Sequence, residues 1–423
     1  MLSKIRILQV GDVHLPTAAL AQRNVDQKDS AFSVELRNVI SAIPTKVVFK
    51  QIYKLLDESG IDALIFMGDF TDRGALDHYE RSSAFLANSL QIGGNRNHAA
   101  VKIGIVPGNH DINRDLAKQP GLATKFAPLN DHLRKNGLPM LPVERTISMA
   151  VRKGNSVADI NLMNSCWGCG AAEYIPSEFR EGIGKAIETA IAAGGASALQ
   201  AYYDRQFDTP AFSNESIGEI VQHAATAEPQ ALLIIAAHHN LLPQRLTRLA
   251  PYTELVNSGA FRASLLETRR PILYLHGHIH EDPIEILSTP SSQCLITISA
   301  PAATDGFNMI EINYTRKGLP LSCRIYPWRF NASGVLHRGS PCTIPLLGHR
   351  RRSHDPSLGR IYSHLLSVGE SYWSDLVNHN PAFFSIDLEE SLREAIELLL
   401  ADESIAVENY EFDASHWIVR AKI

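Results

Sequence analysis

Two short patterns set metal-binding side chains close together. Asp12-Val13-His14 places a carboxylate and an imidazole two residues apart, so on an extended strand end both face the same way. Gly277-His278-Ile279-His280 repeats that spacing with two imidazoles. Between them lie Gly68-Asp69-Phe70-Thr71-Asp72-Arg73-Gly74, Gly108-Asn109-His110-Asp111 and His238-His239. Carboxylates, imidazoles and amide oxygens suit divalent cations, and a catalytic ion needs open positions beside them. Asp12, His14, Asp69, Asn109, His238, His278 and His280 are the candidate ligands, with Asp69 able to bridge two ions. Two ions about 3.5–4 Å apart clamp a phosphate and bring the pKa of a bridging water near neutral. With only Asp12 and Asp69 anionic, such a centre stays net positive before hydroxide binds. It can draw in an anionic substrate.

The surrounding pattern supplies elements to position these residues. Ile5–Val10, Ile61–Met67 and Val101–Val106 read as buried strands, separated by helices over Val47–Glu58 and Asp77–Leu90. Each strand runs into one of the polar, glycine-bearing turns. Ligands of α/β sheets sit beyond the carboxyl ends of strands, so the turns should share one rim. Residues 112–230 break the rhythm with polar loops, prolines and an alanine-rich helical stretch (Gly182–Tyr203), and read as an insertion beside the site. Strands return at Ala231–Ala237 and Ile272–Leu275. Four short β-rich runs (Ile284–Leu287, Cys294–Ser299, Asn308–Tyr314, Ser322–Trp328) read as part of a second sheet packed on the first. Leu347–Leu358 resembles a linker. Beyond it, a helix over Leu388–Leu400 capped by Asp387 and a strand over Trp417–Ile423 suggest a small appended α+β module.

Composition narrows the classes. The chain has 423 residues, which implies two to three domains, and 45% of them are hydrophobic, so a packed core is expected over disorder. A net charge of −5 argues against a uniformly basic nucleic-acid binder, while leaving room for a locally positive site. Five cysteines are too few and scattered for a disulfide framework. No signal peptide is expected from MLSKIRILQVGD, and the longest apolar run, Ala231–Ala237, falls far short of the roughly 20 residues a membrane helix needs. The expectation is a cytoplasmic protein without membrane partners.

The ordered series D-x-H, G-D-x-x-D-R-G, G-N-H-D, H-H and G-H-x-H, from Asp12 to His280, resembles the calcineurin-like metallophosphoesterase superfamily. The resemblance implies an α/β fold, a two-sheet α/β/β/α sandwich over 1–345, to which the chain pattern adds the helical insertion at about 112–230 and an accessory or interaction module at 346–423. It implies that Asp12, His14, Asp69 and His280 hold one metal, and that Asp69, Asn109, His238 and His278 hold the other. It makes His110 a catalytic residue that protonates the leaving group or contacts the phosphate. Asp72 would orient that ring, and Arg73 would bind phosphate oxygens. The D-x-H opening and G-H-x-H ending resemble the bacterial branch: cyclic-nucleotide phosphodiesterases, lipid-precursor pyrophosphatases and repair nucleases. Asn240 stands where small-molecule phosphodiesterases often have proline, which turns the reading away from the cyclic-nucleotide group.

The implied reaction is hydrolysis of a phosphodiester, in nucleic acid or a nucleotide, by a hydroxide activated by two metal ions. Manganese is the first choice of metal, with iron, zinc or nickel as alternatives. A phosphomonoesterase acting on phosphoproteins or small metabolites is one alternative function. Another is a partner-dependent subunit of a bacterial defence or repair assembly, docking through the C-terminal module. Other patterns read more plainly. Cys166-Trp167-Gly168-Cys169 has zinc or redox spacing, but no second cysteine pair follows, so a buried, inert pair is expected. Gly182-Ile183-Gly184-Lys185 lacks the rest of a phosphate loop, and no G-x-S-x-G occurs. Arg350–Arg352 reads as a solvated linker.

Overall fold

The computed structural model describes residues 3–15, 44–58, 60–117, 122–169, 210–228, 230–242, 255–268, 270–281, 283–288, 294–314, 318–346, 356–379, 388–401, 404–410 and 412–422, with scattered positions in 181–195. The chain opens with β1 (Lys4–Val10), α1 (Pro44–Glu58), β2 (Ala63–Phe66), α2 (Leu76–Leu90) and β3 (Lys102–Ile105). There follow α3 (Arg114–Ala117), α4 (Ala127–Lys135), β4 (Ile147–Lys153), β5 (Ser156–Leu162), α5 (Asn214–Thr226), β6 (Leu232–Ala236), α6 (Ser258–Glu267) and β7 (Ile272–His276). Next come β8 (Ile284–Ser288), β9 (Cys294–Ser299), β10 (Gly306–Tyr314), β11 (Pro320–Phe330), β12 (Leu336–Arg338) and β13 (Cys342–Pro345). The C-terminal part holds α7 (Pro356–Val368), β14 (Glu370–Tyr372), α8 (Trp373–His379), α9 (Leu388–Ala401), β15 (Ile405–Glu408) and β16 (Ile418–Ala421).

Two large sheets result. One runs β12-β11-β10-β1-β2-β3 with β13 beside β11, and the other runs β4-β5-β6-β7-β9-β8. Alternation along the strands explains why they stack. In β1, Ile5 and Ile7 face the other sheet while Leu8 and Val10 face the helices. In β6, Leu232, Ile234 and Ala236 face inward while Leu233 and Ile235 pack on the α5 and α6 side. Helix α1 answers the first sheet with Val48, Phe49, Ile52, Leu55 and Leu56, the spacing of one helical face. The layers are α/β/β/α.

The sequence reading differs from the structure in two places. Within the range read as insertion, β4 and β5 belong to the second sheet, because β5 pairs with β6 in parallel. All seven residues of β5 are buried, and three of them, Ser156, Asp159 and Asn161, are polar, which disguises the strand. Of the four late β-rich runs, β8 and β9 join the second sheet, whereas β10 and β11 extend the first through the β1–β10 pairing. Most of the alanine-rich stretch, Arg350–Arg352 and Asp387 lie outside the described residues.

Polar side chains tie the sheets together beneath the rim. Gln9 shares the inward face of β1 and donates to the main-chain oxygens of His276 (3.1 Å) and Ile298 (2.8 Å). Asn308 donates to Gln9 Oε1 (3.0 Å) and Ser299 O (2.9 Å), and Arg329 holds Asn308 Oδ1 at 2.7 Å. In a buried layer these groups need partners, and here each bond crosses between strands.

The C-terminal part has its own three-stranded sheet, β14-β16-β15, and its own core around Leu365, Leu392, Ile396, Trp417 and Val419. Helix α9 packs on β11 and β13. The Arg324 guanidinium lies 3.6 Å from the centre of the Tyr410 ring, and Tyr410 donates its hydroxyl to buried Glu397. No described helix is long and apolar enough to cross a membrane.

Candidate metal centre

The carboxyl ends of β1, β2, β3, β6 and β7 open onto one rim, and main-chain bonds stitch their turns together. Val13 N and His14 N both donate to Asp69 O at 2.9 Å, Gly277 N to His238 O at 3.0 Å, and Ala303 N to Asp12 O at 2.9 Å. The cost shows in the backbone. His14, Asp69, His278 and His280 all have positive φ (49°, 49°, 68° and 54°), and among the described non-glycine residues only Gln91 and Asn409 share that property. Such conformations are unfavourable for L-residues and persist where surrounding structure enforces them. Two glycines admit the close approach. A Cβ on Gly108 would lie 2.0 Å from Asp69 Oδ1, and one on Gly277 would lie 2.8 Å from Asp12 Oδ2.

All seven expected ligands converge. Asp12, His14 and His280 offer donor atoms within 4.8 Å of one another, as do Asp12, Asp69 and His238. His14 Nε2 and His280 Nε2 are 3.5 Å apart, and His280 Nε2 is 3.6 Å from Asp12 Oδ1. The His238 and His278 rings stand 5.0 Å apart, and His278 N donates to Asp12 Oδ2 at 3.1 Å. The clearest test of fit is His238. Its Nδ1 donates to Met67 O at 2.7 Å, so in the neutral ring Nε2 presents a lone pair. That lone pair faces Asn109 Oδ1 at 3.1 Å and Asp69 Oδ2 at 3.4 Å, both acceptors as well. Three lone pairs converging in a buried place repel one another unless a cation sits among them. The donor set fits divalent ions.

Electrostatics agree with that assignment. Burial pushes the Asp69 carboxyl up, but His238, His110 and His14 outweigh it and hold it far below the usual carboxylate range. Asp12 is likewise raised by burial and lowered more by His280 and His238, ending below its ordinary value. Both carboxyls are thereby held ionised. The hydrogen bond with Asp12 raises His280.

His110 sits beside this group. Its amide donates to Asp69 Oδ1 at 2.9 Å, and its ring lies 5.1 Å from that of His14, half-buried. The ring is anchored through Nδ1 to the main-chain oxygen of Asp72 at 2.7 Å. The Asp72 carboxylate, expected from the sequence to do the orienting, places Oδ2 3.9 Å from His78 Nδ1. Arg73 is exposed, and no hydrogen bond or ion pair joins its guanidinium to the described residues.

Two groups near the centre were not read as site residues. Asp111 closes the Gly108–Asp111 turn onto the neighbouring one, accepting from Thr71 N (3.0 Å) and Gly108 N (2.9 Å). Burial, with the Asp69 charge beside it, pushes its carboxyl up to about 7. Its place at the end of the G-N-H-D block was the available signal. His239, the second residue of the His238-His239 pair, packs its ring 4.4 Å from that of His278 and 2.9 Å by Nδ1 from Ser165 Oγ. Burial, then the neighbouring His278 and His238, lower it well below the ordinary histidine value.

Comparison with known protein families agrees with this architecture. The model of the calcineurin-like phosphoesterase family matches residues 5–282. The chain belongs to that family, and it is a metallophosphoesterase, a hydrolase acting on phosphoester bonds. No curated protein sequence matches the chain. Among solved structures it is similar to a dimetal phosphatase from Danio rerio, at 13% identity and a TM-score of 0.47 over 81% of this chain and 99% of that one. It is also similar to a purple acid phosphatase from yellow lupin, at 10% identity and 0.43 over 82% of this chain. A third is the NAD nucleotidase of Haemophilus influenzae, at 10% and 0.40 over 80%. The chain spans 54% of the length of each of these last two.

Proposed function

We propose that the protein hydrolyses phosphodiester bonds in nucleotides or nucleic acid, using two divalent ions of which manganese is the foremost candidate. Asp12, His14, Asp69 and His280 hold one ion, and Asp69, Asn109, His238 and His278 hold the other. When bound, such a pair supplies Lewis acidity to phosphoryl oxygens and a nucleophilic water at neutral pH. The observation that carries the reading is His110. Its Nδ1 donates to Asp72 O, so Nε2 is the nitrogen that takes up a proton to form the imidazolium and then delivers it to the leaving group. The departing oxygen of a nucleotide or sugar ester is a poor leaving group and needs that proton. The exposed Arg73 guanidinium offers a fork to the remaining phosphate oxygens. The D-x-H and G-H-x-H blocks that resemble the phosphodiesterase and nuclease branch support the choice of diester.

The test is product analysis with manganese on single-stranded DNA, double-stranded DNA, RNA, cyclic nucleotides and phosphopeptides. Turnover of at least one diester is expected to exceed that of phosphopeptides. Hydrolysis of monoesters alone would replace this reading with a phosphomonoesterase.

A further inference from the structure

A second donor cluster lies behind the His238–His239 turn, and phosphoester hydrolysis does not use it. Cys166 and Cys169 are fully buried, and their sulfurs and an imidazole nitrogen of His239 all lie within 4.8 Å of one another. His239 Nδ1 is 3.8 Å from Cys166 Sγ and 2.9 Å from Ser165 Oγ. The Pro107 carbonyl oxygen lies 3.3 Å from Cys166 Sγ. We propose that this cluster is a third metal site, in which the thiolates of Cys166 and Cys169 and the imidazole of His239 hold one zinc ion, with Ser165 Oγ or Pro107 O as the fourth donor.

Several observations converge on a metal. Cysteines separated by two residues form a chelating turn, here closed by the Cys169 N to Cys166 O bond at 3.1 Å. The third ligand that the sequence lacked comes from a distant strand end. Its ring is fixed by its own main chain, because His239 N donates to Ser165 Oγ at 3.0 Å and Tyr274 donates its hydroxyl to His239 O at 2.7 Å. The Lys125 ammonium, buried against the same turn, donates to Trp167 O (2.7 Å) and Cys169 O (2.5 Å). A dication with two thiolates is neutral overall, which suits a pocket closed to water. The same burial disfavours a reactive dithiol, since redox-active cysteines are accessible. Thiolates also separate this site from its neighbour, because they select zinc over harder ions. Pro107 precedes the Gly108–Asn109 turn and His239 follows His238. The ion therefore braces two turns that carry donors of the phosphoesterase centre.

The experiment is metal analysis together with zinc-edge X-ray absorption on the full chain purified from zinc-supplemented medium. Three ions per chain are expected, with sulfur scatterers on one of them. Cobalt substitution should give a thiolate-to-cobalt absorption that Cys169→Ser abolishes and Cys342→Ser retains. Only nitrogen and oxygen scatterers on wild-type zinc would overturn the assignment, as would a Cys166–Cys169 disulfide in the unreduced protein. The sulfur signal is read on wild type, so a variant that fails to fold does not obscure it. It also arises independently of substrate, so failure of the diesterase reading leaves it in place.

Discussion

Nδ1 of His110 lies 2.7 Å from the main-chain oxygen of Asp72, so the backbone of one ligand turn orients the ring of another. His110→Ala should lose roughly 10²–10⁴-fold on a natural ester, the usual acid–base contribution. It should lose far less on a bis-nitrophenyl diester, whose leaving group needs no proton. Asp72→Asn keeps the carbonyl and should lose less than His110→Ala on both substrates. Steady-state rates on the two esters decide. An equal loss for His110→Ala on both would make the residue a phosphate-positioning group.

Asp69 lies between a donor of each expected ligand set, its carboxylate grouped with Asp12 and His238 within 4.8 Å and its Oδ2 3.4 Å from His238 Nε2. Chelation should abolish activity, and manganese should restore it. Asp69→Asn should lower turnover by more than roughly 10²-fold, beyond the effect of an outer group, and should reduce bound metal at both positions. Metal content near wild type in that variant would refute a bridging role.

Gly108→Ala tests the close approach to Asp69. The added Cβ, 2.0 Å from the carboxylate oxygen and 2.3 Å from the Asp69 amide nitrogen, must displace the ligand turn. A stability loss of about 1–3 kcal/mol is expected from such overpacking. Metal retention should fall while the circular dichroism of the folded chain persists. Full metal occupancy in the alanine variant would show that the turn can yield.

Glu397 bears on stability alone. Burial raises its carboxyl above the ordinary 4.5, and its Oε2 has no hydrogen-bond partner. The folded protein thus keeps a proton that the unfolded chain has already released. Its contribution to stability therefore declines as pH rises from the unfolded value through the folded one. Glu397→Gln should stabilise the chain at pH 8 by on the order of 1 kcal/mol, with the difference closing near pH 4. Denaturant titrations at the two pH values measure it. A glutamine variant less stable at pH 8 would indicate that the charge is compensated.

The sequence made the converging donors legible because hydrolytic metal chemistry accepts few residue types, and each block ends a strand whose apolar run is plain. The elements it misplaced obey weaker rules. β5 carries Asp159 and Asn161 in a fully buried strand, so hydrophobic patterning does not announce it. β10 reads like any late strand, and only its pairing with β1 shows which sheet it joins. Main-chain anchors such as Met67 O and Asp72 O leave no trace in residue identity. The nearness of His239 to Cys166 and Cys169 is likewise a product of folding, since a separation of 73 residues gives no hint of it.

The seven donors are split between the layers. Asp12, His14, Asp69 and Asn109 follow strands of the first sheet, while His238, His278 and His280 follow strands of the second. The centre is thus a seam, and the bonds beneath it from Gln9 to His276 O and Ile298 O and from Asn308 to Ser299 O act as its rivets. A slip of the layers by an ångström or two would part the donors while leaving every helix and strand intact. Metal retention then becomes a gauge of how firmly the sheets are docked. Under mild heat or denaturant, activity should fade before the backbone signal does, and added metal should hold the layers together by binding only the docked form.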